Sequence, residues 1–519
     1  MTNSNPDYSP MRYPDRFFIG GKWVKPSSDA VIRVIAPATE EVGFQVAEAK
    51  EADVAAAVAA ARKAFDEGPW PLLSHAERAG YLRRIAAKLH ERIETIAQPA
   101  PMESGILHLH AKGSASSLGP IFGAHANLAG TFPFHERHVP GPTGGGGVGV
   151  LVREPVGVVA AIVPWNGPAV ISAYKAAAAL LAGCTIVLKL SPEAPSAGYI
   201  LAEVTEEVGL PPGVLNVITA NREASEALVK DPRVNKVSFT GSNAAGRRIA
   251  SICADRMARV TLELGGKSAA LILDDYDVQK AADAISKSAR VLTGQICYSI
   301  TRLIIDRKRH DDFVEALSES FGKIRVGDPY DAASEMGPVA TAQQRLRVES
   351  YIARGRDEGA VLAAGGGRPS HLGRGFFVEP TVFANVDNRS VIAQEEIFGP
   401  VLSVIPADGE EEAIRIANDS IYGLNASVFT NDSAHAYAVS RKLRSGTVGH
   451  NGCRTDATIA FGGFKQSGIG REGGVEGLRP YLETKTILLD QEPGSTRLKG
   501  NRSEQPLSQK EERPCFQGF

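Results

Sequence analysis

The sequence predicts an α/β chain with a mostly parallel sheet at its centre. Three observations carry this prediction. From residue 154 onward, short valine-rich apolar runs alternate with longer helical segments, the rhythm of βαβ units. Several of these runs end in turns that hold Pro164, Gly241 or Gly265. The chain has 519 residues, enough for roughly two to four domains with full cores and no need of disulfides.

The elements follow in order. Residues 52–66 read as an alanine-rich helix. Residues 74–96 read as a second helix, opened by the capping-box pair Ser74 and Glu77, with Leu82, Ile85, Leu89, Ile93 and Ile96 on one face. The stretch 132–150 carries Pro133, Pro140, Pro142 and Gly144 to Gly147, and reads as an arm leaving the core. Strands are expected at 156–163, 185–189, 214–218, 236–239 and 260–263. Helices are expected at 169–181, 196–208, 224–230 and 245–254. A second α/β region covers about 266–445, and the polar segment from Glu492 is expected to be disordered. Ligands on parallel sheets bind beyond the carboxyl ends of the strands, so the strand ends deserve the closest reading.

Composition removes several classes. The 57 basic residues against 59 acidic ones leave a net charge of −2, so the basic surface of a general nucleic-acid binder is missing. The longest near-apolar run, Ala176 to Leu188, is 13 residues, short of the ~20 a membrane span requires. The first 20 residues lack the apolar core of a secretory signal. The five cysteines, Cys184, Cys253, Cys297, Cys453 and Cys515, are odd in number and form no CxxC pair, which points to a reducing, cytoplasmic setting. His108 with His110, and His135 with His138, lack the partners of a metal site, so no metal is expected.

Four stretches could carry chemistry. A buried strand ends in Pro164-Trp165-Asn166. A second runs through Phe239-Thr240-Gly241 to Ser242, a helix start suited to a phosphate. A third ends at Glu263, followed by Leu264-Gly265-Gly266. The fourth is Gly294-Gln295-Ile296-Cys297. Each has a plain structural reading: a turn, a helix start, a capping or ion-paired acid, a buried small thiol. Each also has a chemical one: an amide at a strand end, a phosphate cradle, a general base, a nucleophile.

Taken together, the four resemble the aldehyde dehydrogenase superfamily, over nearly everything from Phe18 to Thr486. Leu262-Glu263-Leu264-Gly265-Gly266-Lys267 matches the family's glutamate signature. Gly294-Gln295-Ile296-Cys297, with Arg302 following, matches its nucleophile signature, at the family's spacing of 34 residues. Glu395 to Val401 and Phe461 to Gly477 agree as well.

The resemblance implies the NAD(P)-dependent, hydrolytic reaction. Cys297 would attack the aldehyde and Asn166 would donate to the oxyanion. Glu263 would activate water against the thioester, and Lys175 would support that polar site. Ile162, Val163, Pro164 and Trp165 would line the cofactor cleft, with Phe239, Thr240, Gly241, Gly246 and Leu264 around it. Lys189 would reach the adenine ribose, Ser242 the pyrophosphate, and Gly265 would leave room for the nicotinamide. Glu396 would hold the nicotinamide ribose beside Phe398, with Gln344 as a further ribose contact. Three parts are implied: a Rossmann-like cofactor domain (1–132 and 153–265), an α/β catalytic domain (266–466) and a small β oligomerisation element (133–152 and 467–495). A tail follows at 496–519. A homodimer or homotetramer acting on a small-molecule aldehyde is expected.

Departures from the family pattern shape the finer expectations. Pro192 stands where an acid usually grips the adenine ribose, with Glu193 one place later, so NAD is expected and NADP is the alternative. Gly167, Ile171, Tyr174, Ile296, Tyr298, Cys453 and Phe461 would line the substrate tunnel. Room at Gly167 favours medium, branched or aromatic aldehydes. A CoA-acylating semialdehyde dehydrogenase and a cofactor-independent thiol esterase are the alternatives. Glu263 speaks against the first, and the retained Lys189, Ser242 and Glu396 against the second.

Overall fold

Runs of valine, isoleucine and alanine between 158 and 263 form the parallel centre of an eight-stranded sheet. In the computed structural model, which describes residues 10–491 apart from Gly145 and Ala457, the sheet order is Gly468–Ile469, Arg259–Glu263, Lys236–Thr240, Val158–Ile162, Thr185–Leu190, Leu215–Thr219, Phe17–Ile19 and Lys22–Val24. The middle five strands are parallel. The edge strands pair antiparallel.

Parallel sheets bury both faces, and this one does. Val159, Ala161 and Leu188 pack against Leu82, Ile85, Phe122 and the alanine-rich helix Pro168–Ala182. Val158, Ala160, Val237 and Phe239 pack against Val54, Ala57 and Ala61 of Glu51–Asp66, and against Ile249 and Ile252 of Asn243–Asp255. Every residue of Val158–Ile162 is buried, which explains its unbroken apolar sequence.

A second, seven-stranded sheet takes its strands from Ser268–Ile272 to Thr447–His450. It is parallel except for the edge strand Val361–Ala364. A third, antiparallel sheet joins His135–His138, Val148–Pro155 and Leu482–Leu489. It is built from the expected arm and the far end of the described chain.

Most boundaries fall within one or two residues of expectation, and two of the differences have a visible cause. The helix read over 74–96 breaks at Arg92 into His75–Glu91 and Ile93–Ala97. There the Arg92 N–H bonds back to Leu89 at 3.1 Å, and its guanidinium reaches Glu203 and Glu207. The capping box at the helix start is present: Glu77 N–H donates to Ser74 Oγ, and Ser74 N–H to the Glu77 carboxylate. The strand read over 156–163 is Val158–Ile162. Gly157 has φ of +123°, and a Cβ there would sit 2.1 Å from Asn235 Oδ1, which accepts from Val158 N–H. Cys515 and the segment 496–519 lie outside the described residues.

Candidate active site

The carboxyl ends of the first sheet's strands meet the start of the second sheet at one cleft. The loop before Cys297 is held in an unusual shape. Leu292, Thr293 and Gly294 have φ of +47°, +55° and +72°, a left-handed run costly for the two non-glycines. Buried hydrogen bonds hold it: Thr293 Oγ1 donates to Gly337 O at 2.9 Å, Gln295 Nε2 to Leu292 O, and Ala340 N–H to Gln295 Oε1. The loop presents Cys297 half-buried at the cleft floor. Burial and the charges of Glu396 and Glu263 push its thiol up, while the backbone N–H groups of Tyr298 and Cys297 pull it down. The other described cysteines differ. Cys184 and Cys253 are core residues, and Cys453 accepts from Asn425 Nδ2 at 3.3 Å and lies behind the Tyr298 carbonyl.

Glu263 ends its strand and points into the same floor, 2% exposed. Neither carboxylate oxygen has a hydrogen-bond partner among the described residues. Burial and the neighbouring charge of Glu472 raise it well above the ordinary carboxylate range, against the pull of Lys175 and Arg471. Gly462 makes space for it, since a Cβ there would meet Glu263 Oε1 at 2.6 Å. Lys175, fully buried in its helix, reaches Glu472 at 2.5 Å and Ser238 Oγ at 3.1 Å. Lys175 thus supports the acid site from beneath.

Asn166 follows the strand Val158–Ile162 and precedes the helix Pro168–Ala182. Its Nδ2 donates to Gln295 O at 2.9 Å, which locks the amide's orientation. One amide hydrogen remains free to donate beside Cys297. Gly266 permits the close approach: a Cβ there would lie 2.3 Å from Cys297 O.

The cleft continues away from Cys297. A cavity of about 300 Å³ holds Pro164, Trp165, Asn166, Thr240, Gly241, Ser242, Glu263, Leu264, Gly265, Cys297, Gln344, Glu396 and Phe398. A second, of about 730 Å³, holds Ile162, Lys189, Glu193 and Phe239, and shares Trp165 and Ser242 with the first. The two make one long groove across the strand ends. Val163 lies buried behind it. Gly246 packs on Leu264, where a Cβ would intrude at 2.5 Å.

The groove's groups suit an extended dinucleotide. Gly265 lies against the Glu396 carboxylate, and a Cβ there would meet Glu396 Oε2 at 2.4 Å and Asn243 Oδ1 at 2.9 Å. Glu396 accepts from Gly266 N–H, and burial pushes its carboxyl up to about 7. Ser242 caps the helix Asn243–Asp255 by accepting from Ala245 N–H, which leaves its own O–H free to donate. Burial depresses the Lys189 ammonium to about 8. Glu193, fixed by Ser191 Oγ, places a carboxylate in the same cavity. Glu193, one place after Pro192, thus lines the same cavity as Lys189.

Gln344 lines the cleft, but it spends its amide on the carbonyls of Ile397 and Phe398. It holds Phe398, whose φ is +64° and whose ring meets Trp165 edge-on at 5.6 Å. On the opposite side, Tyr298 and Phe461 meet edge-on at 5.8 Å. Ile171, Tyr174 and Ile296 join the large apolar cluster below the first sheet. At Gly167 an added Cβ would only touch Ile171 Cδ1 at 3.4 Å, so there is open space beyond it.

Sequence reasoning missed Glu472, Arg471 and Arg347. Glu472 and Arg471 stand in the block Phe461 to Gly477, but nothing in their spacing marks them as neighbours of Glu263. Arg347 lines the cleft and donates to the Glu396 carbonyl at 2.5 Å. One helical turn after Gln343 and Gln344, it carried no local signal.

The family model described as the aldehyde dehydrogenase family matches residues 23–487. Geranial dehydrogenase of Castellaniella defragrans is 42% identical over 473 residues, covering 91% of this chain and 98% of that protein. Among solved structures, a Mycobacterium tuberculosis aldehyde dehydrogenase complexed with NAD+ aligns with a TM-score of 0.89 at 46% identity, covering 92% of this chain and 98% of that one. A mutant of aldehyde dehydrogenase C from Pseudomonas syringae, complexed with NAD+ and octanal, aligns at 0.88 and 39% identity, covering 92% and 97%. With a family model matched almost end to end and relatives this similar over their whole length, the chain belongs to the aldehyde dehydrogenase family.

Proposed function

We propose that this enzyme oxidises an aldehyde to the carboxylic acid, with NAD as hydride acceptor and Cys297 as the covalent nucleophile. One observation carries the reading. A thiol, an amide with a free donor, and an unpaired buried carboxyl line the same small cavity, at the end of a groove suited to a dinucleotide.

Glu263 takes the Cys297 proton through water, the sulfur attacks the carbonyl carbon, and the C=O π pair moves onto the oxygen as an oxyanion, after which Glu263 gives that proton up to solvent. The free amide hydrogen of Asn166 and the Cys297 N–H stabilise that charge as it develops. When bound, the oxidised nicotinamide supplies a positively charged ring and the acceptor for the hydride whose loss turns the thiohemiacetal on Cys297 into a thioester. Glu263 then takes a proton from water, which attacks the thioester and releases the acid and the Cys297 thiol. Glu263 returns that proton to the departing Cys297 sulfur, while Lys175, bonded to Glu472, keeps a positive charge near the carboxyl.

In the groove, Lys189 and Glu193 grip the adenine ribose, Ser242 and the helix start after it meet the pyrophosphate, and Glu396 takes the nicotinamide ribose. The Glu193 carboxylate repels a 2′-phosphate, which favours NAD over NADP. The relatives complexed with NAD+ support the same choice.

The substrate pocket favours medium, branched or aromatic aldehydes. Space beyond Gly167 and the aromatic wall of Tyr298 and Phe461 support this. So does the likeness to a geranial dehydrogenase.

The division given above is 1–132 with 153–265 for the cofactor, 266–466 for catalysis, and 133–152 with 467–495 for assembly; the two large sheets and the third sheet support it in outline, with Gly468–Ile469 edging the first sheet and 153–155 continuing the third. The exposed Ile487 and Leu488 on the third sheet support a homo-oligomer. Among the described residues no helix is long and apolar enough to cross a membrane.

The test is a panel of aldehydes assayed with NAD and with NADP, following reduced nicotinamide. Turnover with NAD, abolished by Cys297→Ala, is expected. Turnover that survives Cys297→Ala overturns the reading.

A further inference from the structure

The polar ground beneath Glu263 extends further than Lys175 and Glu472. Lys236–Thr240 pairs in parallel with Arg259–Glu263, so that Ser238 lies opposite Thr261 and Thr240 opposite Glu263. Alternate residues of a strand share a face. The face that bears Glu263 therefore also bears Thr261, Thr240, Ser238 and Lys236. On neighbouring strands the same face is apolar, with Val159, Ala161 and Leu188.

Lys236 lies at the foot of this stripe, 0% exposed. Its ammonium donates to Thr261 Oγ1 at 2.6 Å and lies 4.9 Å from the centre of the Tyr481 ring. The Tyr481 hydroxyl meets Ser238 Oγ at 3.1 Å, and that oxygen also accepts from Lys175. Lys175 reaches Glu472, the neighbour of Glu263. No carboxylate forms an ion pair with Lys236 among the described residues. The cluster holds two acids, Glu263 and Glu472, and two ammonium groups, Lys175 and Lys236. Lys236 thus adds a third cation, beside Lys175 and Arg471, to a cluster with two buried carboxyls.

We propose that Lys236 is a positioning residue for the deacylation base, its charge acting through Thr261 and the Ser238–Lys175–Glu472 chain to let Glu263 ionise at lower pH. The proposal rests on the reading of Glu263 as that base. The groups that face Lys236 are Lys175 from the helix Pro168–Ala182, Cys184, Arg259 on the adjacent strand, Tyr481 and Glu472. Glu263 is faced by Glu472, Lys175, Arg471 and Cys297. Glu472 is also faced by His125 and Tyr174. A cation near a carboxyl favours its charged form. Its removal makes ionisation harder, and the acid limb of deacylation moves to higher pH.

The test compares the intact wild-type enzyme with Lys236→Met and Lys236→Arg, using pH profiles of kcat and the pre-steady-state burst of reduced nicotinamide. Lys236→Met should raise the acid limb of kcat by about half a pH unit or more, with the burst rate at high pH unchanged. Lys236→Arg should keep the wild-type limb. A folded Lys236→Met enzyme with an unmoved limb overturns the proposal, as do equal shifts in both variants, which would mean packing alone. If Lys236→Met does not fold, Thr261→Val replaces it. Loss of the ammonium's acceptor should move the limb the same way, and an unmoved limb in that variant overturns the proposal. Failure of the parent reading looks different: it appears with Lys236 intact, as a Glu263→Gln enzyme that keeps the wild-type turnover and acid limb.

Discussion

Asn166→Ala removes one placed donor from the oxyanion site. One amide hydrogen of Asn166 is held by Gln295 O at 2.9 Å, and the other is free to donate in the cavity that Cys297 lines. Loss of one such donor should slow kcat by about 10²–10³, or ~3–4 kcal/mol. The Gln295 carbonyl also loses a partner, in a residue that is 0% exposed. An unsatisfied buried acceptor costs about 1–3 kcal/mol of stability. The two losses separate experimentally. Rapid-mixing measurement of the first turnover reads the donor, and the thermal midpoint reads the carbonyl. Asn166→Asp serves as the control of similar shape. It replaces the donor with a negative charge beside the oxyanion and should be slower still. A folded Asn166→Ala enzyme whose acylation rate stays within about threefold of wild type would refute the oxyanion assignment.

Other outcomes follow from the same geometry. Gly167→Phe should fill the open space beside Ile171 and reduce kcat/KM for bulky aldehydes more than for acetaldehyde. Equal losses for both would remove Gly167 from the substrate pocket. Glu193→Ala should raise the ratio of NADP to NAD efficiency by about tenfold, the effect of ~1.4 kcal/mol of relieved repulsion, read from parallel kcat/KM measurements. An unchanged ratio would assign cofactor choice elsewhere. Because burial and Glu472 hold the Glu263 carboxyl well above its ordinary range, its base form is lost as pH falls through that raised value. The acid limb of the deacylation rate should therefore lie above pH 4.5, the usual carboxylate value. Glu263→Gln should abolish that limb along with most of the turnover.

Much of this architecture is legible in local pattern. Strands buried on both faces give unbroken apolar runs, so Val158–Ile162 and Thr185–Leu190 stand out. The long helices announce themselves by apolar period, and Ser74 with Glu77 marks a helix start. Asn166, Glu263 and Cys297 are legible as candidates only together, through the joint resemblance of their motifs to one family, since each alone reads as readily as a turn, a capping acid or a buried thiol. Glu472 is not. It reaches Lys175 across 297 residues of sequence, and only folding makes them neighbours. The position of Glu193 in the groove is hidden for a similar reason. A one-residue displacement reads as a loss in sequence, while in space the side chain still enters the cavity. The placement of Gln344 at the cleft is legible, whereas the carbonyls that accept from its Nε2 belong to a segment 53 and 54 residues away. The break at Arg92 depends on distant Glu203 and Glu207, which no local period reveals.

The central claim is a covalent acyl group on Cys297 that Glu263 helps to release. Glu263→Gln should form the thioester and fail to hydrolyse it. Mixed with an aldehyde and NAD, quenched in acid and digested, this variant should show the mass of the acyl group on the peptide that holds Cys297, together with a burst of reduced nicotinamide. A burst with no added mass on that peptide, or steady turnover with Cys297 unmodified, would contradict the account.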